Sequence, residues 1–313
     1  MSGATDQTRP KSLTALASGG KPALAAALAR LERDPDSSDV RRLLDDAYAL
    51  PRAHVVGVTG PPGVGKSTLL STLIAAWRGQ GRTVGVIAVD PSSRRTGGAL
   101  LGDRARLATD PSDQGVFVRS MAARDRLGGL AELTLGAMVI MRALFDVVLV
   151  ETVGVGQSET DVASVADTVV FCVQPGSGDS LQFMKAGIVE IPHLVVVTKA
   201  DLGAVAERAK VDVAGALTLA ETADDWAPRV LLVSAHLPES IAPLVAALDE
   251  HLAHLRAGGR LARARRTQAA AGVRDAVRER GGREGLRRAP DLGLKPGESP
   301  FSRIAELAGH LVR

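Results

Sequence analysis

The chain has 313 residues, 45% hydrophobic and 23% charged, with a formal net charge of +3 at pH 7, ordinary values for a globular protein. So weak a basic excess does not argue for nucleic acid, and 3% aromatic residues leave few stacking platforms for single strands. Cys172 is the only cysteine, which excludes an intrachain disulfide and, within its apolar run, reads as an inert buried thiol.

In chain order, the polar Met1–Pro10 lacks a basic-then-apolar leader, and no stretch reaches the ~18 apolar residues of a membrane span. The expectation is a cytoplasmic protein with no membrane and no nucleic-acid partner. Ser12–Leu50, rich in Ala and Leu, predicts two short helices. From Arg52 to about Arg256, apolar runs alternate with helical patterns. Strands are expected over His54–Val58, Thr83–Asp90, Val116–Arg119, Asp146–Glu151, Thr168–Gln174, His193–Thr198 and Arg229–Ser234. Helices are expected over Ser67–Arg78, Gly129–Leu144, Ser180–Glu190, Leu202–Ala220 and Ile241–Arg256. Val147-Val148-Leu149-Val150 and Leu194-Val195-Val196-Val197 are apolar at every position, as strands covered on both faces are. Beyond Gly258, Arg263, Arg265, Arg266, Arg274, Arg278 and Arg280 punctuate an alanine-rich helical segment that breaks at Gly281-Gly282. A last amphipathic helix is expected over Phe301–Val312. The basic run reads as a solvated helical face, ahead of a surface for RNA or an acidic partner. The expected organisation is a helical extension over 1–50, an α/β domain over 51–257 and a helical arm over 258–313, with a doubly wound, mostly parallel sheet.

Gly60-Pro61-Pro62-Gly63-Val64-Gly65-Lys66-Ser67, followed by Thr68, fits G-x-x-x-x-G-K-[ST]. It stands after a strand and opens a helix, the context the motif requires, so the α/β domain is expected to be a P-loop NTPase. Its glycines let main-chain amides curl round a β-phosphate at the positive end of the helix dipole. Lys66 would reach β- and γ-phosphate oxygens, and the Ser67 hydroxyl would bind Mg²⁺. Two carboxylates follow at strand ends that face the same crevice: Asp90 in Asp90-Pro91-Ser92-Ser93, and Glu151 in Glu151-Thr152-Val153-Gly154, a D-x-x-G element with Glu for Asp. Taken singly, each acid is more often a cap. After a phosphate-binding lysine, both read as groups that orient the waters of Mg²⁺. Gly154 could bring its N–H to the γ-phosphate.

Thr198-Lys199-Ala200-Asp201 follows an all-apolar strand and looks like the N/T-K-x-D base-recognition element. Asp201 would accept from N1–H and the exocyclic amine of guanine, two donors that adenine lacks there. The Lys199 stem would lie over the purine face. Thr198 in place of Asn turns one amide contact into a hydroxyl contact. Ser234-Ala235 resembles the short element whose backbone N–H meets guanine O6. GTP or GDP is therefore the expected nucleotide.

These blocks together resemble the methylmalonyl-CoA mutase-associated GTPases, chaperones of adenosylcobalamin-dependent acyl-CoA mutases that also carry the label arginine/ornithine transport system kinase. The resemblance covers about residues 20–256. It is carried by Gly60–Thr68; by Asp90-Pro91-Ser92-Ser93 with Thr96-Gly97-Gly98 and Gly102-Asp103; by Glu151-Thr152-Val153-Gly154-Val155-Gly156-Gln157-Ser158-Glu159; and by Pro175-Gly176-Ser177-Gly178-Asp179 with Leu181-Gln182 and Lys185. It implies that Asp90, Asp103 and Glu151 arrange the Mg²⁺ shell, with Asp103 on a first switch loop. Glu151–Glu159 would form a second switch, and Asp179–Lys185 part of a third that reports the nucleotide state to the mutase. Arg106 becomes the candidate for neutralising γ-phosphate charge, though a surface arginine on a short helix reads as well. Lys66, Asp103, Arg106 and Glu151 are then the expected catalytic set. The family's C-terminal arm implies a homodimer. Pro192-His193 before the base-recognition strand, Thr198 for Asn, and no glycine after Ser234-Ala235 depart from the family pattern.

The leading functional expectation is a GTP-hydrolysing chaperone that gates cofactor loading and protection of a mutase of the methylmalonyl-CoA type. A metal-insertion GTPase of the nickel-enzyme maturation type is the alternative, although such proteins display Cys/His clusters and the six histidines here are scattered along the sequence. A protein kinase lacks its catalytic-loop pattern. A scaffold that reads GTP without hydrolysing it is the fourth reading.

Overall fold

The computed structural model describes residues 12–91, 107, 109–123, 132–152, 161–176, 191–218, 225–289 and 291–311. All seven expected strands are present: β1 His54–Thr59, β2 Val84–Pro91, β3 Val116–Ala123, β4 Val147–Glu151, β5 Thr168–Val173, β6 Leu194–Val197 and β7 Arg229–Leu232. The helices are α1 Leu13–Ser18, α2 Gly20–Arg33, α3 Ser38–Ala49, α4 Lys66–Gly79, α5 Glu132–Leu144, α6 Ala204–Leu217, α7 Ile241–Arg256, α8 Arg260–Arg288 and α9 Pro300–Leu311. The helix expected over Ser180–Glu190 lies outside the described residues.

The described residues divide into two compact units, one of His54–Leu130 and Asp146–Ala264, the other of Met1–Ala53, Ala131–Phe145 and Arg265–Arg313. The first holds a single sheet, ordered β3-β2-β4-β1-β5-β6-β7, with every neighbouring pair parallel. Alternation along β5 sends Val170 and Cys172 to one face, Phe171 and Val173 to the other. The first face, with Val56, Val86, Leu149 and Val196, packs on Leu70, Leu73 and Trp77 of α4 and on Leu244 and Leu248 of α7. The second, with Val195 and Val197, packs on Ala206 and Val213 of α6. Burial on both sides is why these strands carry no polar alternation; each fully buried valine contributes roughly 1.5–3 kcal/mol.

In the second unit, the sequence pattern predicts two helices over Ser12–Leu50 and the structure has three. Gly20, at φ +61°, parts α1 from α2, and the Asp34–Ser37 turn parts α2 from α3. Gly136 of α5 has no Cβ, which lets Leu31 and Leu44 close on it. The glycine break expected in the arginine-rich segment is at Gly282 (φ +61°, ψ −155°) within α8. Val273, Ala276 and Val277 of α8 form a small core with Ile304 and Leu307 of α9. Two of its arginines serve this unit directly: Arg265 donates to the Ala53 carbonyl at 2.8 Å, and Arg280 pairs with Asp36 at 2.9 Å.

The N-terminal edge of the sheet carries a cluster that no motif announces. Thr168 opens β5, and its hydroxyl lies 2.6 Å from His54 Nε2 and 2.7 Å from His251 Nδ1. His251 is 1% exposed, with the His193 and Trp226 rings 4.3 and 4.6 Å away. Burial first, then the neighbouring imidazoles of His193, His54 and His254, push its pKa down to about 2. In the unfolded chain it titrates near ~6.5, so the unfolded state binds the extra proton between these values. Its contribution is complete above ~pH 6.5 and is lost as pH falls towards the folded value. Between pH 7.5 and 5.5 the wild type should therefore lose about 1 kcal/mol more stability to urea than His251→Gln does; parallel losses would refute this.

Candidate functional site

β1 ends at Thr59, and the chain turns through Gly60–Gly65 into α4. Gly60, Gly63 and Gly65 take φ +138°, +74° and +103°, a region that L side chains rarely adopt. Gly60 is constrained twice, because a Cβ there would stand 2.4 Å from the Cys172 carbonyl oxygen. No side chain caps α4, so its first amides suit an anion. Lys66 is buried, and its ammonium donates to the Gly60 and Pro61 carbonyls at 2.8 and 3.0 Å. The turn thus folds its own cation across its mouth. Beneath it, burial raises the Cys172 thiol to about 12, which keeps it protonated and chemically quiet.

Ser67 Oγ donates to Glu151 Oε1 at 2.9 Å. The pairing follows from register: β4 lies between β1 and β2, with Glu151 opposite Val58 on one side and Ala88 on the other. Next to it Thr152 donates to Thr59 Oγ1 at 3.0 Å, tying the ends of β4 and β1. A hydroxyl beside a carboxylate is a pair of hard oxygens, the donor type that Mg²⁺ takes. Asp90 lies on β2 two residues beyond Ala88, paired in register with Ala122. Its side chain, and Asp103, Arg106, Gly154 and Asp179–Lys185, lie outside the described residues.

The residues expected to recognise the base gather on the same carboxyl edge of the sheet. Thr198 is 5% exposed, and its hydroxyl lies within hydrogen-bond distance of two carbonyls, Val64 at 2.7 Å and Val173 at 3.1 Å. Lys199 has φ +55°, the one positive value outside glycine among the described residues, and its ammonium donates to Gln174 Oε1 at 2.9 Å. Asp201 accepts from the Ser234 hydroxyl, and chiefly this bond holds its carboxyl below the usual carboxylate range. Asp201 is therefore ionised at neutral pH. The Ser234 amide is taken by Ser240 Oγ at 3.0 Å, and the Ser234 oxygen also accepts from the His236 amide at 3.1 Å. Ser234 thus serves as the clamp of Asp201, and the Ala235 amide is the member of the pair that donates to no protein acceptor among the described residues.

Gln174, Ser240 and the Thr59–Thr152 bond carry no sequence signal, since each matters only through a partner that folding brings near. Of the expected residues, the structure brings Lys66, Ser67 and Glu151 into one group and Lys199, Asp201, Ser234 and Ala235 into another. Thr198 stands between the two.

The sequence profile of the family described as methylmalonyl Co-A mutase-associated GTPase MeaB matches residues 24–284. The GTPase ArgK of Escherichia coli (strain K12) is 35% identical over 286 residues, covering 88% of this chain and 85% of that protein. A Mus musculus protein named methylmalonic aciduria type A homolog, mitochondrial, is 39% identical over 222 residues, covering 70% of this chain and 54% of that protein. A crystal structure of LAO/AO transport system kinase matches with a TM-score of 0.69 at 30% identity, over 85% of this chain and 82% of that one.

Two of the three glycines of the turn, Gly60 and Gly63, separate backbone strain from close approach. At Gly63 an added Cβ meets nothing within 4 Å, whereas at Gly60 it meets the β5 backbone. Gly60→Ala should destabilise the fold by about 2 kcal/mol more than Gly63→Ala in urea unfolding; equal costs would show that β5 does not restrain the turn.

Proposed function

The chain belongs to the methylmalonyl-CoA mutase-associated GTPase family, and from that premise we propose that its GTP hydrolysis gates cofactor loading and protection of an adenosylcobalamin-dependent acyl-CoA mutase of the methylmalonyl-CoA type. One arrangement supports the nucleotide part of this reading: a lysine folded across a glycine turn and an ionised carboxylate clamped by a serine, both on the carboxyl edge of one parallel sheet. The N–H groups of Gly63, Val64 and Gly65, with Thr68 at the start of α4, surround the phosphates, Pro61 and Pro62 shaping the turn without donating, and Lys66 exchanges its two carbonyl partners for phosphate oxygens. Asp201 accepts from guanine N1–H and the exocyclic amine, the Ala235 amide meets O6, and the Lys199 stem covers the ring.

The oxygen donors of Ser67 and Glu151 fit Mg²⁺, with Asp90 and Asp103 as the further acids of its shell. When bound, that ion supplies neutralisation of charge on the β- and γ-phosphate oxygens. The chain's own part is positioning and charge: Lys66 and the turn amides hold the phosphoryl group for in-line attack by water, and Arg106 offsets the charge that develops on it. Gly154 donates to the γ-phosphate and so senses its loss. The segment from Asp179 to Lys185 carries that signal to the mutase, and residues 258–313 form the arm of a homodimer. The protein acts in the cytoplasm.

Lys66→Ala should lower kcat/KM for GTP at least about 100-fold while the melting temperature stays within a few degrees; turnover like the wild type would overturn the site. Asp201→Asn should trade GTP for xanthosine triphosphate, whose C2 carbonyl needs a donor where guanine offers one; unchanged preference would remove Asp201 from base reading. Immobilised methylmalonyl-CoA mutase should retain the chain to different extents in GTP and in GDP, and retention in neither would sink the chaperone role.

A further inference from the structure

We propose that Thr198 reads no atom of the base and is instead a positioning residue, whose single hydroxyl proton joins the base-recognition loop to the phosphate-binding turn. The inference rests on the guanine-nucleotide reading above and deepens it, because it assigns which edge of guanine this chain leaves unread.

The argument starts from how many protons a hydroxyl has. Threonine donates one hydrogen bond; an asparagine amide donates two and accepts as well. The Thr198 proton faces two carbonyls, Val64 at 2.7 Å and Val173 at 3.1 Å. Val173 already accepts from the Thr198 amide at 2.9 Å. The short contact to Val64 is therefore the principal one. Val64 is the residue between Gly63 and Gly65, both at positive φ, in the middle of the turn that holds Lys66. The bond spans 134 residues of sequence and is buried.

Guanine presents only acceptors, N7 and O6, on its Hoogsteen edge. A hydroxyl whose proton is committed to Val64 offers that edge nothing but lone pairs. No attraction to N7 is left. An asparagine at the same point would hold the Val64 carbonyl with one amide proton and still donate the other to N7. In Thr198 one of those two roles is retained, and it is the one that links the loops. Two consequences follow. Removing N7 from the nucleotide changes nothing that this side chain touches. Removing the hydroxyl leaves the Val64 carbonyl without its donor and loosens the turn under the phosphates, so affinity falls whatever atom stands at position 7 of the base.

Titration calorimetry with GTP and 7-deaza-GTP, each with Mg²⁺ and well below the melting temperature, tests this directly. The two nucleotides should bind the wild type within about twofold of one another, since the hydrogen bond that distinguishes them is not made. A preference for GTP of fivefold or more would overturn the inference without touching the nucleotide site. No binding of GTP itself would overturn the guanine reading, and the inference with it. Thr198→Asn should create the missing contact and with it a preference for GTP over 7-deaza-GTP of about fivefold. Thr198→Val should weaken both nucleotides about tenfold and in equal proportion, and Thr198→Ser should restore both to within about threefold. A Thr198→Val protein that melts earlier but keeps wild-type affinities would show a hydroxyl that only finishes β6, and the positioning role would fall. The wild-type comparison needs no variant, so a Thr198→Asn protein that fails to fold does not rescue the idea.

Discussion

The inner strands of a parallel sheet, buried on both faces, have no place along their length for a charged side chain, and this constraint arranges the polar groups around them. Val170 and Cys172 are sealed under α4 and α7, Phe171 and Val173 under α6, and an ion at any of these positions would be stranded without water. Charged and hydrogen-bonding groups are driven to the strand ends. The carboxyl ends of β1, β4, β6 and β7 then bring Lys66, Glu151, Asp201 and Ser234 to one edge although 168 positions separate the first from the last. The same constraint acts at the opposite edge, where His54, Thr168 and His251 meet. There burial disfavours a charge on His251. One sheet thus separates a polar edge that keeps its charges from a polar edge that must not gain one.

Much of this was legible in the sequence because the strongest signals are local. Val147-Val148-Leu149-Val150 can only be a covered strand or a buried helix, and five residues between turn signals decide for the strand. The glycine turn announces itself because its three positive φ values exclude other residues, and Gly60 has a close neighbour besides. The same locality explains what was not legible. The helix count in Ser12–Leu50 depends on one glycine, Gly20, whose left-handed conformation cannot be told from an ordinary helical glycine by composition. Ser234 resembles a base-contacting residue in sequence, yet its amide is taken by Ser240 six residues on and its hydroxyl by Asp201. Sequence gives the residue types of a recognition element, while the distribution of their protons follows from packing.

That distribution matters most where this chain departs from the pattern it otherwise follows. A hydroxyl in place of an amide does not weaken every contact by a fraction; it has one proton and must choose. Beside a buried carbonyl the choice is set by the cost of leaving that carbonyl without a donor, about 1–3 kcal/mol, against a base edge that water can satisfy when no nucleotide is bound. The inward bond wins on those terms. On the proposed guanine reading, the discrimination against adenine falls to Asp201, whose ionised form the Ser234 hydrogen bond favours.

The choice also changes what base binding can do to the phosphate turn. With an amide bridging base and turn, the base could pull on the turn through a shared side chain. With Thr198 the bridge is complete before any nucleotide arrives, since both carbonyl partners belong to the protein. The turn is then preorganised by the fold, and on the proposed reading a guanine ring would add affinity through Asp201 and the Lys199 stem without tightening the grip on the phosphates. Preorganisation of this kind lowers the cost of binding for GTP and GDP alike. On the proposed reading, discrimination between the two nucleotides would therefore come from groups that meet the γ-phosphate, on the Glu151 side of the sheet and not on the Asp201 side.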